Sequence, residues 1–430
     1  METTKKKVII IGGGFAGVYA YLELFKYCKK MSCFDVTLIN KTDYFDFVVL
    51  SHEIATGGLM PSDVTQSLHK LPKGENARFI QGTATSLNTK EKRVFFARDG
   101  FCKDDKIGGG MVSLPYDYVL LALGSETDTF GVPGVGKHTL SLKNLEDAKK
   151  LKNRILESFE VARGCDNEDH IREMLTFVVI GGGPTGVELS AEIADFVFDE
   201  ISSIYPELGK KTEVVLLHSG DGLISVMDKW FHKKSVKILN KLGVQILLNK
   251  KVTEVTERNV FMGEEKIATR NVFWSAGVKS RYLDIESKNH FSKEERTGRI
   301  KVNDYLQVIE DSSIYVAGDM AWIVNRETNQ PYPMRAQFAV KEGITVAQNI
   351  ISDINRKKKT EFLWRDQGFI ISLGRGGALA EVFGMRFSGP IAWWLYRTAY
   401  LSKLVGIRAK LRTGLEWAIN LMFSRDISKI

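Results

Sequence analysis

The chain has 430 residues, is 44% hydrophobic and carries a formal net charge of +8. That length and composition exclude a disordered chain and leave room for two or three ordinary cores. Four cysteines (Cys28, Cys33, Cys102 and Cys165) are too few for a disulfide scaffold and fit a reducing compartment, and no run of about eighteen apolar residues exists to cross a bilayer as a helix.

Met1 to Lys7 is polar and runs straight into the first apolar stretch, so no signal-peptide core is expected and the location expected is cytoplasmic. Val8-Ile9-Ile10-Ile11 reads as a buried strand. A glycine loop follows, Gly12-Gly13-Gly14-Phe15-Ala16-Gly17, then a helix over about 15–30 and a strand at Val36-Thr37-Leu38-Ile39. Asp99 to Gly110 carries turn signals without apolar period and reads as flexible. Tyr118 to Leu123 is a buried-strand pattern ending in Gly124, and Leu142 to Arg163 has helical spacing before an acidic loop, Asp166 to Asp169.

The order then repeats. Phe177-Val178-Val179-Ile180 is a strand, Gly181-Gly182-Gly183-Pro184-Thr185-Gly186 a second glycine loop, Thr185 to about Ile201 a helix, and Val214-Val215-Leu216-Leu217 a strand. Phe273-Trp274-Ser275-Ala276-Gly277 echoes Leu121-Ala122-Leu123-Gly124, as if both units were versions of one design. Ser313 to Asp319 is a strand ending in Gly318-Asp319, and Arg335 to Ile354 is helical. A short β-rich stretch (362–387) and two amphipathic segments complete the chain.

In each loop the glycines have separate tasks: a tight turn, close approach of backbone to a pyrophosphate, and close packing of helix on strand. The helix behind the loop points its first amides at the phosphates. One such loop is weak evidence; two, each between a strand and a helix, imply two dinucleotide sites and an electron path between two carriers. The fold class expected is α/β, with two Rossmann-like domains. The first domain occupies 1–125 and 295–355, the second is inserted at 140–285, and a C-terminal region spans 356–430. Ligands in such sheets bind at the carboxyl ends of the strands, so the reactive rings are expected to meet at the domain junction.

Three constellations are candidates for chemistry. Asp319 is placed to accept hydrogen bonds from a ribityl chain, or to cap a helix. Gln337 and Lys341 lie four apart on one helix face, to steer a carbonyl-bearing acceptor or simply to be solvated. Glu188 is either a helix-start acid favoured by the dipole or a carboxylate beside two reacting rings. From Arg386 onward, eight cations (Arg386, Arg397, Lys403, Arg408, Lys410, Arg412, Arg425, Lys429) face only Glu416 and Asp426, a balance of +6. Charge alone permits nucleic acid. Its concentration beside Trp393, Trp394 and Trp417 instead predicts helices lying on a membrane surface, with packing on the body or in a dimer as the other reading. Cutting the chain after Phe387 is then expected to leave a soluble protein that still reduces water-soluble acceptors. No metal site is read from the sequence.

Gly12 to Gly17, Ile54-Ala55-Thr56-Gly57, Leu123-Gly124, Gly181 to Glu188, Trp274 to Val278, Val316 to Asp319 and Ala336-Gln337-x-Ala339-x-x-x-Gly343 together resemble the type II NADH:quinone oxidoreductases over essentially the whole chain. The resemblance implies FAD in the first domain and NADH, with NADPH possible, in the second. Hydride would pass to flavin N5 and two electrons to a membrane quinone, ubiquinone or menaquinone, without proton pumping. It assigns Gly12, Gly14, Phe15, Ala16, Gly17, Asn40, Lys41, Ala84, Gly124 and Asp319 to FAD, Thr56 and Gly57 to the isoalloxazine, and Ala336, Gln337 and Lys341 to the flavin–quinone border. It assigns Gly181, Gly183, Pro184, Thr185, Gly186, His218, Ser219, Ala276 and Gly277 to the nicotinamide dinucleotide, with Glu188 near both rings. It also implies a homodimer held peripherally on the cytoplasmic face of the membrane, with no nucleic acid partner.

The sequence departs from the family pattern in three places. Asn40 and His218-Ser219 stand where an acid usually meets each adenosine ribose, which removes the repulsion against a 2′-phosphate in the second domain. Lys341 and Glu342 stand where glutamines are common. Two other functions remain. A slow FAD- and NAD(P)H-binding redox sensor is one. A sulfide:quinone oxidoreductase is the other, although it needs a late cysteine and none follows Cys165. The Cys28–Cys33 spacing matches a redox pair but falls at the far end of the first helix.

Overall fold

The computed structural model describes residues 5–28, 33–98, 110–287, 290–365 and 368–429. The chain forms two compact units. The first comprises 1–45, 66–126 and 278–365, the second 46–65, 127–277 and 366–430. Against the expected boundaries, residues 46–65 fall in the second unit, 278–285 and 356–365 fall in the first, and the rest of the C-terminal region, 366–430, belongs to the second.

The first unit is organised by a six-stranded sheet. Lys6–Ile11 lies between Phe34–Asn40 and Tyr118–Leu121, all parallel. Ala77–Gln81 extends one side, Asp311–Val316 the other, and Gln307–Val308 adds an antiparallel edge. Val8, Ile9, Ile10 and Ile11 are all buried, as an unbroken apolar run requires when both faces of a parallel sheet are covered. The helices Phe15–Cys28 and Ala336–Ile354 belong to this unit. A second, four-stranded sheet combines Asp284–Glu286, Thr83–Asn88, Arg93–Ala97 and Met111–Pro115. The stretch expected to be flexible falls, from 99 to 109, outside the described residues, as does Cys102.

The second unit repeats the plan with four parallel strands in the order Val244–Leu247, Glu213–Leu217, Thr176–Ile180, Asn271–Trp274. Its helix after the glycine loop, Pro184–Asp195, continues as a π-helical turn, Phe196–Ile201. The acidic loop expected at 166–169 is partly a helix start. The Asn167 side chain accepts from the His170 amide, so Glu168 and Asp169 open the helix Glu168–Leu175, where acids complement the dipole.

The C-terminal region forms three antiparallel strands, Phe369–Ser372, Ala378–Val382 and Met385–Ser388, followed by helices Pro390–Lys403 and Ile407–Met422. The last helix is two-sided. Ala409, Thr413, Trp417 and Asn420 are buried, while Ile407, Leu411, Leu415 and Met422 are at least 63% exposed. The inner face is hydrogen-bonded into the unit. Thr413 donates to the Asp63 carbonyl at 3.0 Å, Trp417 Nε1 to Glu53 Oε2 at 2.7 Å, and Asn420 Nδ2 to the Gly58 carbonyl at 2.7 Å.

Candidate active site

The two glycine loops are built alike. Gly12 and Gly181 have φ of 110° and 121°, which a side chain rarely tolerates. A Cβ on Gly12 would also lie 2.2 Å from the Ala122 carbonyl oxygen, and one on Gly181 2.7 Å from Ser275 Oγ. Gly17 and Gly186 each press on the loop's first carbonyl, where a Cβ would come within 1.8 Å. Gly14 and Gly183, by contrast, face open space. The Gly12 amide donates to Ile39 O and the Gly181 amide to Leu217 O, both at 2.8 Å. The echo at the fourth strand also holds: Ala122 N donates to Ile11 O and Ser275 N to Ile180 O, both at 2.8 Å.

The departures at the strand ends take part in this design. Gly13 N donates to Asn40 Oδ1 at 2.7 Å, and Gly182 N donates to His218 Nδ1 at 3.1 Å. With Nδ1 accepting, the neutral His218 ring carries its proton on Nε2, an assignment that rests on the hydrogen-bond network. Burial holds the His218 pKa below its ordinary value against the weaker opposing pull of Asp221. The helix Pro184–Asp195 starts on Gly183 without a side-chain cap, so its first amides are free of side-chain competition for a phosphate.

In the first unit, Asp319 accepts from Ser125 Oγ at 2.6 Å and caps no helix. Glu342, which the sequence left without a role, turns inward and accepts from the Gly318 amide at 2.5 Å. Burial pushes its carboxyl up to about 7, against the Gly318 bond and the nearby Arg299. Arg299 was missed altogether. It is 5% exposed and donates to the carbonyls of Ala321 at 2.8 Å and Tyr332 at 3.0 Å. Phe15 meets the edge of Phe45. Ala336 and Gln337 are half-buried, Lys341 is exposed, and Ala84 is half-buried in its strand. Lys41 is exposed beside Asn40, and Gly124 has a left-handed backbone. Cys28 ends its helix at the opposite end from the glycine loop, so the Cys28–Cys33 spacing has no redox geometry near that loop.

The first loop fits the adenosine–pyrophosphate half of FAD. Gly14 leaves the room, Gly12 and Gly17 allow the approach, and Asn40 and Asp319 supply polar ends. The second loop offers a second dinucleotide the same cradle through Gly181, Gly183 and Gly186, with His218 at the ribose end. Ser219 and Thr185 are exposed, and Ala276 and Gly277 half-buried.

Other parts of the second unit bring titratable side chains into its interior. Glu188 lies in the second turn of its helix, not the first, and Oε1 accepts from the Ser372 amide at 3.2 Å. Burial pushes its carboxyl up to about 8. Thr56 and Gly57 are buried, and Thr56 Oγ1 reaches Glu192 Oε2 at 3.1 Å. His52 Nε2 meets the Tyr396 hydroxyl at 3.2 Å, and burial holds His52 down to about 4. The Arg397 guanidinium lies 3.8 Å from the ring centre of Trp393 and 4.6 Å from that of Trp417. No sequence period announces the contacts of Glu188, Thr56 and His52, because their partners lie more than a hundred residues away.

Residues 6–343 match the family model described as pyridine nucleotide-disulphide oxidoreductase. A probable NADH dehydrogenase of Dictyostelium discoideum is 27% identical over 98% of this chain and 91% of its own length. The type II NADH:quinone oxidoreductase Ndh of Mycobacterium tuberculosis is 27% identical over 98% of this chain and 89% of its own. Among solved structures, NDH2 from Plasmodium falciparum in complex with NADH has a TM-score of 0.88 at 20% identity, covering 99% of this chain and 100% of that one. The sulfide:quinone oxidoreductase of Aquifex aeolicus shares the fold more loosely, with a TM-score of 0.71 at 17% identity over 97% and 96% of the two chains. The two relatives are named as an NADH dehydrogenase and a type II NADH:quinone oxidoreductase, and the chain belongs to the pyridine nucleotide-disulphide oxidoreductase family.

Proposed function

We propose that the protein is an FAD-dependent NAD(P)H:quinone oxidoreductase that works on a membrane surface without pumping protons. The observation that carries this reading is the duplicated glycine cradle, one in each unit, which supplies two dinucleotide sites to a single chain. When bound, FAD supplies the two-electron relay between NAD(P)H and quinone. The chain's own residues hold and orient. Gly12, Gly14, Gly17, Asn40 and Asp319 seat FAD; Gly181, Gly183, Gly186 and His218 seat the nicotinamide dinucleotide. Glu188, with its raised pKa, keeps its proton at neutral pH and offers a donor O–H where an ordinary glutamate would be charged. Gln337 offers an amide N–H to a quinone carbonyl, with Lys341 one turn along to favour the reduced, anionic oxygen.

The test is oxidation of NADH by the FAD-loaded protein with a short-chain quinone, on anionic liposomes. Gln337→Ala is expected to lower quinone reduction by roughly tenfold or more, the scale of a lost positioning contact, while NADH still bleaches the flavin. Unchanged quinone turnover in that variant sinks the assignment of Gln337. Fast bleaching with no quinone turnover in the unaltered protein points to a redox sensor instead.

The exposed Ile407, Leu411, Leu415 and Met422, interleaved with exposed Arg408 and Arg412, support a lipid-facing surface, since the opposite face of that helix is already occupied. The cations counted toward lipid are fewer than the sequence implied. Arg425 pairs with Glu192, Arg397 is held between two tryptophans, and Arg386 pairs with Glu381 and Asp228. Peripheral attachment at the cytoplasmic face and a homodimer through the same end belong to this proposal. A protein that stays in the supernatant when anionic liposomes are sedimented counts against the lipid surface.

NADPH is a second substrate on this reading, because His218 puts a neutral N–H donor, not a carboxylate, at the ribose end of the second cradle. His218→Glu keeps an acceptor for Gly182 and restores like-charge repulsion against a 2′-phosphate. It is expected to lower the ratio of kcat/KM for NADPH over NADH by roughly tenfold or more. Steady-state kinetics with both dinucleotides measures this, and an unchanged ratio removes His218 from the specificity argument.

A further inference from the structure

After the last helix the chain turns back, and Arg425 enters the interior of the second unit, where only 7% of its side chain is exposed. Its Nη1 donates to Glu192 Oε2 at 2.7 Å and to Thr56 Oγ1 at 3.1 Å, and Thr56 Oγ1 itself reaches the same carboxylate oxygen. Three segments remote in sequence are thereby joined at one point: the turn at 51–58, the helix Pro184–Asp195 and the tail. The next residue closes the arrangement. The Asp426 carbonyl lies where a Cβ on Gly57 would come within 2.1 Å, and the Asp426 carboxylate takes the Lys152 ammonium, 1% exposed, at 2.8 Å.

A buried ion pair is weak evidence for stability, because desolvation of both ions offsets their attraction and an apolar pair of similar volume often does as well. What the pair provides is geometry. A guanidinium is planar with fixed donor directions, and here one nitrogen, Nη1, addresses a hydroxyl and a carboxylate together. Both recipients adjoin residues assigned to the reaction. Thr56 precedes Gly57, and Glu192 follows Glu188 by one helical turn on the same face.

We propose that Arg425 is a positioning residue for the redox reaction: by tying Thr56 to Glu192 it fixes the Thr56–Gly57 turn and the Glu188 turn of the helix behind the second glycine loop. The inference rests on the function proposed above and on the resemblance, which assigns Thr56 and Gly57 to the isoalloxazine and Glu188 to the neighbourhood of the rings. The C-terminal tail is then part of the catalytic machinery's support as well as of the surface that meets lipid.

The experiment uses the full-length, FAD-loaded protein and follows flavin bleaching by saturating NADH in single turnover, per bound FAD, beside a melting curve. Arg425→Met leaves the buried Glu192 without its cation and is expected to slow bleaching by roughly tenfold or more. Adding Glu192→Gln removes the orphan charge while an amide still meets Thr56, so the double variant is expected to recover most of the rate. Should Arg425→Met fail to fold, Arg425→Lys keeps the charge on a shorter side chain without the fixed planar donor and is expected to fold and bleach slowly. A variant that melts lower but bleaches at the original rate overturns the proposal, since that is the signature of a purely structural contact. Glu188→Gln separates the two levels. If it slows bleaching and the Arg425 variants do not, the Arg425 proposal fails alone. If none of them slows bleaching, the assignment of both turns to the reacting rings fails with it.

Discussion

Ending the chain at Phe387 is expected to unfold the second unit, not to release a soluble core as the sequence suggested. The cut removes the Trp417 donor from Glu53, the Arg425 cation from Glu192, the Asn420 donor from the Gly58 carbonyl and the Asp426 anion from Lys152. Breaking a buried ion pair by deleting one partner costs about 3–5 kcal/mol; the Arg425–Glu192 pair loses a member, and the Lys152–Asp426 pair, with Asp426 35% exposed, adds less. The same cut takes away Trp393, Tyr396 and Trp417, all at most 4% exposed, and losing a buried large apolar side chain costs about 2–3 kcal/mol each before any cavity is counted. The sum reaches or exceeds the whole stability of an ordinary domain, about 5–15 kcal/mol. Soluble yield, a melting curve and limited proteolysis of the truncated chain check this. A truncated protein that melts cooperatively within a few degrees of the full chain, and still reduces a soluble dye, refutes it.

Gly343→Val is expected to yield a protein with little FAD. Gly343 lies in the helix Ala336–Ile354, and a Cβ there would sit 2.2 Å from the carbonyl oxygen of Ala16, at the start of the helix behind the first glycine loop. The atom in the way is backbone and cannot swing aside. A branched side chain must push the two helices apart, which costs about 1–3 kcal/mol or more and displaces the loop that seats the cofactor. Gly318, with Ala16 and Ala339 each 3.5 Å from where its Cβ would be, belongs to the same close packing. FAD content of the purified variant is expected to fall to roughly a tenth or less, a change of about 1.4 kcal/mol in binding. The absorbance ratio of flavin to protein reads it, and a fully yellow variant contradicts it.

That second case shows how far the sequence could be read. The motif Ala336-Gln337-x-Ala339-x-x-x-Gly343 draws attention as a quinone signature. In the structure two of its small residues serve packing: Gly343 against Ala16, and Ala339 beside Gly318. Ala336 and Gln337, with Lys341 on the same face as Gln337, remain for acceptor chemistry. A linear pattern marks the segment without dividing chemistry from contact. The two glycine loops were legible because strand, loop and helix are local and the signal occurs twice. The tail was legible only in part, because a charge count along the chain treats Arg397, Arg408 and Arg425 alike. Arg408 is exposed, but Arg397 is held between two indoles and Arg425 is buried against Glu192. Glu192 lies on a distant segment and Trp393 one turn back on the same helix as Arg397, and nothing in the spacing of cations reveals either. Glu342 was noticed as a departure, yet its role depends on the Gly318 amide, 24 residues away in sequence.

Arg425 and Asp426 have one more consequence, for the order in which the protein is made. Glu192 is made 233 residues before Arg425 and Lys152 274 residues before Asp426, so both wait for their counter-ions while that length of chain is added. The first unit has all its segments by residue 365. A nascent chain that has emerged only as far as residue 400 would therefore display one unit with every segment present and another whose Glu192 and Lys152 still lack the tail.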